Sequence, residues 1–556
     1  MSRFAAHVTP DRFRNVTPPD LAKEYRERGW WGDATLAKVV AGHAAGRPDA
    51  PAFFTEHGTT TWAQYDAKSS ALASVLVAAG VREGERVAVW LPDGATVHIA
   101  FLAIEKAGAT AVGIGARAGD KELRHLLGKS QATTLITFAS HRDRDLSGLA
   151  ARLREPGVVL RRHLVVPLLD AEHDGPVLVD GQPVGASALM PVPPERAMGP
   201  DDLFMLNTTS GTTGMPKCVM HHQNRWFYFH QKAQENGDLV AEDVWYGAVP
   251  APFGFGLWTV HFTPAILGCA TVLRERFNAE EACALIERYG VSVLACVSTQ
   301  FIMMLSSEGI RKRDLSSLRA IFTGGEAVPA SRARAFEETT GATVLQFFGS
   351  NETGLLTGTT LRDSFERRIT TAGRLVPEMN VRLYEGDEDV TATGTGQPAG
   401  HGPALCLGYL DDDAANDQLY SKDGWMLMGD IVTVDEEGYL TLTGRTSDII
   451  IRGGKNISAG KVEEEISRHP AVALAAAVAA PDEVFGERVC AFVELKPGTE
   501  LDLGTLVAYL LDQGTSKSDL PEYLVVLDQL PRASGAKVAK GELRSRVQEY
   551  VARSAR

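Results

Sequence analysis

The sequence has no cysteine framework. Its six cysteines, Cys218, Cys269, Cys283, Cys296, Cys406 and Cys490, are scattered and form no CxxC pair. That excludes a disulfide scaffold and reads as reduced thiols of a cytoplasmic protein. No apolar run reaches the roughly 18–20 residues of a membrane span. The opening MSRFAAHVTPDRF has no apolar segment of the signal-peptide kind, and the terminal Ser-Ala-Arg is not a peroxisomal address. Positive charge is in deficit, with 56 Lys+Arg against 70 Asp+Glu and a net charge of −14. General nucleic-acid binding needs the opposite balance. The expected partners are therefore small molecules, with no nucleic acid and no membrane.

The 556 residues allow about three to five structural units. Hydrophobic residues at 44% and charged residues at 23% suit a soluble chain with large cores. Glycine is in excess: there are 54, above a usual share of about 7%. The excess points to tight turns and backbone-lined sites.

Much of the first 440 residues alternates helical and strand patterns. Asn278 suits a helix N-cap, with Glu281 three residues on, and Gly290 suits the C-terminal end. Between them Ala282, Leu285, Ile286 and Tyr289 form the i, i+3, i+4, i+7 stripe of a helix. VSVLACV (291–297), ERVAVWL near Val87 and RAIFTGG near Ile321 read as strands. Strands alternating with helices predict an α/β architecture with parallel sheets. Residues 176–200 and 391–404 read as turn clusters. After Gly444 the pattern changes: VEEEISRH (462–469) reads as a helix, and VALAAAVAA and ERVCAFVEL as strands. The division expected is a large N-terminal α/β part, 1–444, and a small α+β part, 445–556.

The strongest motif is NTTSGTTGMPK, Asn207 to Lys217. Gly211 and Gly214 let the backbone curl so that N–H groups converge. Thr208, Thr209, Ser210, Thr212 and Thr213 add hydroxyl donors, and Lys217 adds positive charge. Together they make a phosphate cradle. It is not the Walker pattern GxxxxGK[ST], because the glycines are too close and Cys218 follows the lysine.

With this string the chain resembles the adenylate-forming superfamily that includes acyl-CoA ligases, nonribosomal-peptide adenylation domains and firefly luciferase. Further motifs follow in that family's order. In TGGEAV (323–328), Gly324, Gly325 and Glu326 correspond to a turn along the adenine. In FFGSNETG (347–354), Phe348 and Gly349 correspond to the adenine-stacking element, and Glu352 to the carboxylate that holds Mg²⁺ between phosphates, with Asn351 before it where Thr is usual. Asp430, in DGWMLMGD, corresponds to the ribose-binding Asp, and Arg445 reaches the same ribose. Ser447 takes the hinge position near 445–448. Gly453 and Gly454 line the path of the coenzyme A pantetheine. In LPRASGAKVAK, Lys537 corresponds to the lysine that bridges the acid and the α-phosphate, and Lys540 is the competing assignment.

The resemblance implies a small mobile C-terminal domain, ATP/AMP, Mg²⁺ and coenzyme A as cofactors, and Lys537, Glu352, Thr209 and Lys217 as catalytic groups. A homodimer is compatible with it. For the acid, the expected pocket holds His221, His222, Phe253, Gly254, Phe255 and Gly325. Gly254 takes the place of the Asp that pairs with a substrate ammonium in amino-acid-activating relatives. An apolar, aryl or alicyclic acid is expected instead. Met428, Ala536, Asn351 and Ser447 depart from the pattern. Three readings therefore stand: an acyl-CoA ligase running both steps, an enzyme that transfers a preformed acyl-adenylate to coenzyme A, and a nucleotide-binding pseudo-enzyme.

Overall fold

The computed structural model describes residues 13–141, 144–146, 148–153, 155–170, 175–185, 189–208, 215–325, 328–445, 449–452, 455–482, 485–513, 515–517, 519–533 and 537–554. Apolar β-branched segments flanked by amphipathic helices build two large, mostly parallel sheets. In the nine-stranded sheet, Thr343–Ser350, Ala320–Gly324, Val293–Ala295, Val244–Gly247, Ala270–Leu273 and Pro51–Thr55 run parallel, with antiparallel strands at both edges. The eight-stranded sheet has a parallel centre, Arg162–Val165, Thr134–Thr137, Arg86–Val89, Thr110–Gly113 and Met205–Thr208. Its central strands are buried on both faces, as such sheets require.

The helix read between Asn278 and Gly290 spans Ala279–Tyr289. Asn278 accepts from the Glu281 N–H, and Gly290 closes it at φ +62°. The Glu281 carboxylate bonds Arg274 at 2.9 Å instead of returning to the cap. One reading fails: within the 391–404 cluster, Thr395–Gly400 is a strand, paired with Arg382–Glu385 on one side and Asp430–Val434 on the other. A Cβ on Gly400 would fall 2.7 Å from Leu356 Cδ2, so small residues there serve close packing as well as turning.

The C-terminal segments form their own sheet. Val472–Asp482 and Gly486–Leu495 pair antiparallel along their length, and helices Ala459–Ser467, Leu503–Asp512 and Lys540–Ser554 accompany them. The six cysteines are free and buried. Among the described residues no helix is long and apolar enough to cross a membrane.

Candidate active site

In an α/β sheet, ligands gather beyond the carboxyl ends of parallel strands. Three loops meet that rule here: 325 onward after Ala320–Gly324, 250–256 after Val244–Gly247, and the reversal after Met205–Thr208. The reversal joins two buried strands, because Met205–Thr208 pairs antiparallel with Cys218–His221. Thr209, Ser210, Gly211, Thr212, Thr213 and Gly214 lie outside the described residues. Thr208 and Lys217 mark the two ends.

Lys217 Nζ sits 4.6 Å from the centroid of the Tyr409 ring. The Tyr409 hydroxyl donates to Glu352 Oε1 at 2.7 Å. Burial, with Glu352 adding to it, pushes the phenol well above its ordinary range, so it remains a donor. Residues 406–410 are laced to the hairpin: Leu407 N–H donates to Met220 O, Met220 N–H to Gly408 O and Leu410 N–H to Cys218 O. Cys406 N–H donates to Glu352 O. Ser350 turns the chain at Glu352, its Oγ accepting from the Glu352 and Thr353 N–H groups. Among the described residues no group of three or more His, Cys, Asp or Glu could hold a metal. Glu352, linked through Tyr409 to Lys217 at the end of the hairpin, offers one carboxylate. That donor set fits Mg²⁺, which keeps waters and substrate phosphates and takes one or two protein carboxylates.

Behind Glu352 lies a buried chain of polar groups. Arg225 Nη1 donates to His221 Nδ1 at 2.6 Å and to Asn351 O at 3.0 Å. A guanidinium can only donate, so His221 carries its proton on Nε2 and gives it to Asn207 Oδ1 at 2.7 Å. Asn207 and Asn351 then exchange two amide bonds, 2.8 and 2.6 Å. Burial pushes Arg225 down to about 10 and His221 well below its usual value. The arginine stays charged and the histidine neutral. His222 packs on Trp31 with centroids 4.7 Å apart. His221 and His222, expected at the substrate pocket, are 0% and 1% exposed. Asn351 spends its amide on Asn207, which explains how Asn stands where a hydroxyl residue is usual.

The other expected groups divide by place. Phe348 is buried on Thr343–Ser350, and Gly349 follows a register shift in that strand. A Cβ on Gly324 would meet Phe347 O at 2.3 Å, so the strands approach where only glycine fits. Gly325 has φ +78°, and its Cβ position lies 2.9 Å from Lys537 Nζ. Lys537, in the segment before the helix Lys540–Ser554, therefore reaches onto this turn. Lys540 pairs with Glu463 at 2.7 Å. Asp430, buried, sits opposite Arg445 in an antiparallel pair. Met428 is also buried, and its carbonyl accepts from Gln397 Nε2. Glu326, Ser447, Gly453, Gly454 and Ala536 lie outside the described residues.

Phe253, Gly254 and Phe255, the expected pocket residues, are each half-buried. A Cβ on Gly115 would meet the Phe253 ring tip at 2.8 Å, and one on Gly254 would meet Asn351 Oδ1 at 2.5 Å. Trp258 is core, edge-on to Phe347 at 4.8 Å. Tyr409, Arg225 and Asn207 were not foreseen as a connected group, because their contacts cross long stretches of chain.

Residues 40–410 match the family model described as AMP-binding enzyme, and residues 461–537 match that of the AMP-binding enzyme C-terminal domain. The chain is 30% identical over 529 residues to the medium-chain fatty-acid–CoA ligase of Escherichia coli, covering 94% of this chain and 92% of that protein. It is 31% identical over 547 residues to the salicyl-AMP ligase / salicyl-S-ArCP synthetase of Mycobacterium tuberculosis, with 94% and 92% covered. Among solved structures, the anthranilate CoA ligase AuaEII in complex with anthranoyl-AMP shares the fold, with TM-score 0.82, 23% identity, and 94% and 98% of the two chains covered.

Proposed function

The chain belongs to the adenylate-forming AMP-binding enzymes and is an ATP-dependent, AMP-forming ligase, and from that premise we propose that it converts an apolar, aryl or alicyclic carboxylic acid to its coenzyme A thioester. The observation that carries this reading is the meeting of Lys537 with Gly325, which brings a cation to the turn that follows the strand Ala320–Gly324. In the first step an acid oxygen attacks the α-phosphorus of ATP and pyrophosphate leaves. Lys537 offsets the charge that builds between carboxylate and phosphate, and Thr208 to Gly214 with Lys217 hold the leaving oxygens. Glu352 would hold Mg²⁺, which supplies neutralisation of phosphate charge. Asp430 and Arg445 take the ribose, and Phe348 the adenine. Phe253, Gly254 and Phe255 line the acid. In the second step the small part turns at 445–448, with Ser447 at the hinge. The coenzyme A sulfur, running past Gly453 and Gly454, attacks the acyl carbon and AMP leaves. The large and small parts divide at 444/445.

One observation favours a second reading. Asn351 and Met428 offer the phosphates no hydroxyl, so an enzyme weak in the first step would still transfer a supplied adenylate. The test mixes the protein with ATP, Mg²⁺ and a panel of aryl, alicyclic and medium-chain acids, and measures pyrophosphate. Synthetic acyl-adenylates with coenzyme A are then assayed for thioester. Activity in both assays supports the two-step ligase, and thioester from supplied adenylate alone supports the second reading. Pyrophosphate without any thioester would sink the coenzyme A assignment.

A further inference from the structure

Tyr409 touches both ends of the phosphate site and has no role in the reading above. Its hydroxyl donates to Glu352 Oε1, and its ring lies beneath the Lys217 ammonium. The ring is held by the fold. Asn416 Oδ1 accepts from Tyr409 N–H and Asn416 Nδ2 donates to Tyr409 O, both at 2.8 Å. An isolated bridge from Val219 to Tyr409 fixes the segment against the hairpin. Tyr409 is 8% exposed, so its contacts to the two charged groups are shielded from water and strengthened by it.

We propose that Tyr409 is a positioning residue for the metal–phosphate end of the site. Its hydroxyl fixes one oxygen of Glu352 and leaves the other for a divalent cation, while its ring sets the Lys217 ammonium. A glutamate ordered beforehand loses less rotamer freedom when it takes a metal. The ammonium over the ring face gains from the ring quadrupole and keeps its station before the nucleotide arrives. This inference rests on the assignment of Glu352 and Lys217 to Mg²⁺ and phosphate.

The test compares the wild type with Tyr409→Phe and Tyr409→Leu. Mn²⁺ binding is followed by electron paramagnetic resonance with saturating α,β-methylene-ATP, and analogue affinity is measured without metal. Tyr409→Phe keeps the ring and loses the hydroxyl. It is expected to weaken Mn²⁺ binding roughly tenfold, the scale of a lost hydrogen bond to a charged group, with metal-free analogue affinity within about twofold of wild type. Excess Mg²⁺ should restore its pyrophosphate release. Tyr409→Leu should weaken both measurements. Thermal melting checks that the variants fold. Wild-type Mn²⁺ affinity in Tyr409→Phe overturns the proposal, and so does an equal loss with and without metal, which marks a structural role only. A wild type that releases no pyrophosphate with any acid would count against the ligase reading, while the Mn²⁺ comparison still decides for or against Tyr409.

Discussion

Lys537 and Lys540 stand three positions apart on the C-terminal segment, yet their surroundings differ. Lys540 opens the helix Lys540–Ser554 and is bound to Glu463, whereas Lys537 lies against Gly325 across the two parts of the molecule. Lys537→Ala is expected to cut pyrophosphate exchange by roughly two to three orders of magnitude, the scale of removing one preorganised charge donor. Lys540→Ala should cost about 1–3 kcal/mol of stability, because it strips a partner from the partly buried Glu463, and leave the exchange rate within a few-fold. The reverse pattern in the exchange assay would move the role to Lys540. A second residue-scale case is Gly254. Gly254→Ala drives a methyl toward Asn351 Oδ1, 2.5 Å from its place. It should raise the KM for the acid several-fold and cost about 1–3 kcal/mol by overpacking. Asn351→Thr shortens the obstructing side chain, so the double variant should recover part of the loss. Strict additivity in the double-mutant cycle would disprove the contact.

At the scale of elements, legibility in the sequence followed the range of the interaction. The helix Ala279–Tyr289 was readable because cap, stripe and terminal glycine sit within a dozen residues of one another. The strands around Val87, Ile321 and Val293 were readable from short apolar runs. The strand Thr395–Gly400 was not, since glycine and proline composition signals a turn and only its three partner strands make it a strand. The site divided the same way. The phosphate string was legible as local chemistry, and Glu352 and Lys537 became legible through resemblance. The support beneath them was hidden: Tyr409 meets Glu352 across 57 residues, and Asn207 meets Asn351 across 144. No periodicity carries such pairings. They arise because residues 406–410 run along the hairpin strand Cys218–His221 and because Asn207, opposite Val219, bonds His221 diagonally across that hairpin.

At the scale of the whole molecule, the two parts are seated by backbone contacts. Arg332, on the helix Ala330–Thr340, donates to Ser467 O at 2.8 Å and Val472 O at 2.6 Å, and Glu464 accepts from Ala330 N–H. In the same arrangement Lys537 lies against Gly325. The interior of the large part is sensitive to acid. His98, His221, His222 and His261 are all buried and held neutral, His98 and His222 pushed down to about 3 by burial and the other two well below normal. His98 and His261 share an Nδ1–Nδ1 contact of 3.0 Å, which needs one neutral partner to donate and the other to accept. An unfolded histidine takes its proton near pH 6.5. Between about pH 6.5 and 3 the unfolded chain therefore binds more protons at these four sites, and folding stability falls as pH falls. Glu105, pushed up to about 7 by burial, and Asp93, pushed up to about 6, act the other way, since the folded protein keeps their protons while the unfolded chain releases them until about pH 4. Among these six groups, four against two leave roughly two protons, or about 3 kcal/mol per pH unit near pH 5, and His230, buried and pushed down to about 4, adds in the same direction. The urea midpoint should hold level above pH 7 and drop steeply between pH 6.5 and 5. His222→Phe, which keeps a ring against Trp31, should lower that slope by about one proton. An unchanged slope would mean that His222 is not the neutral buried group its surroundings describe.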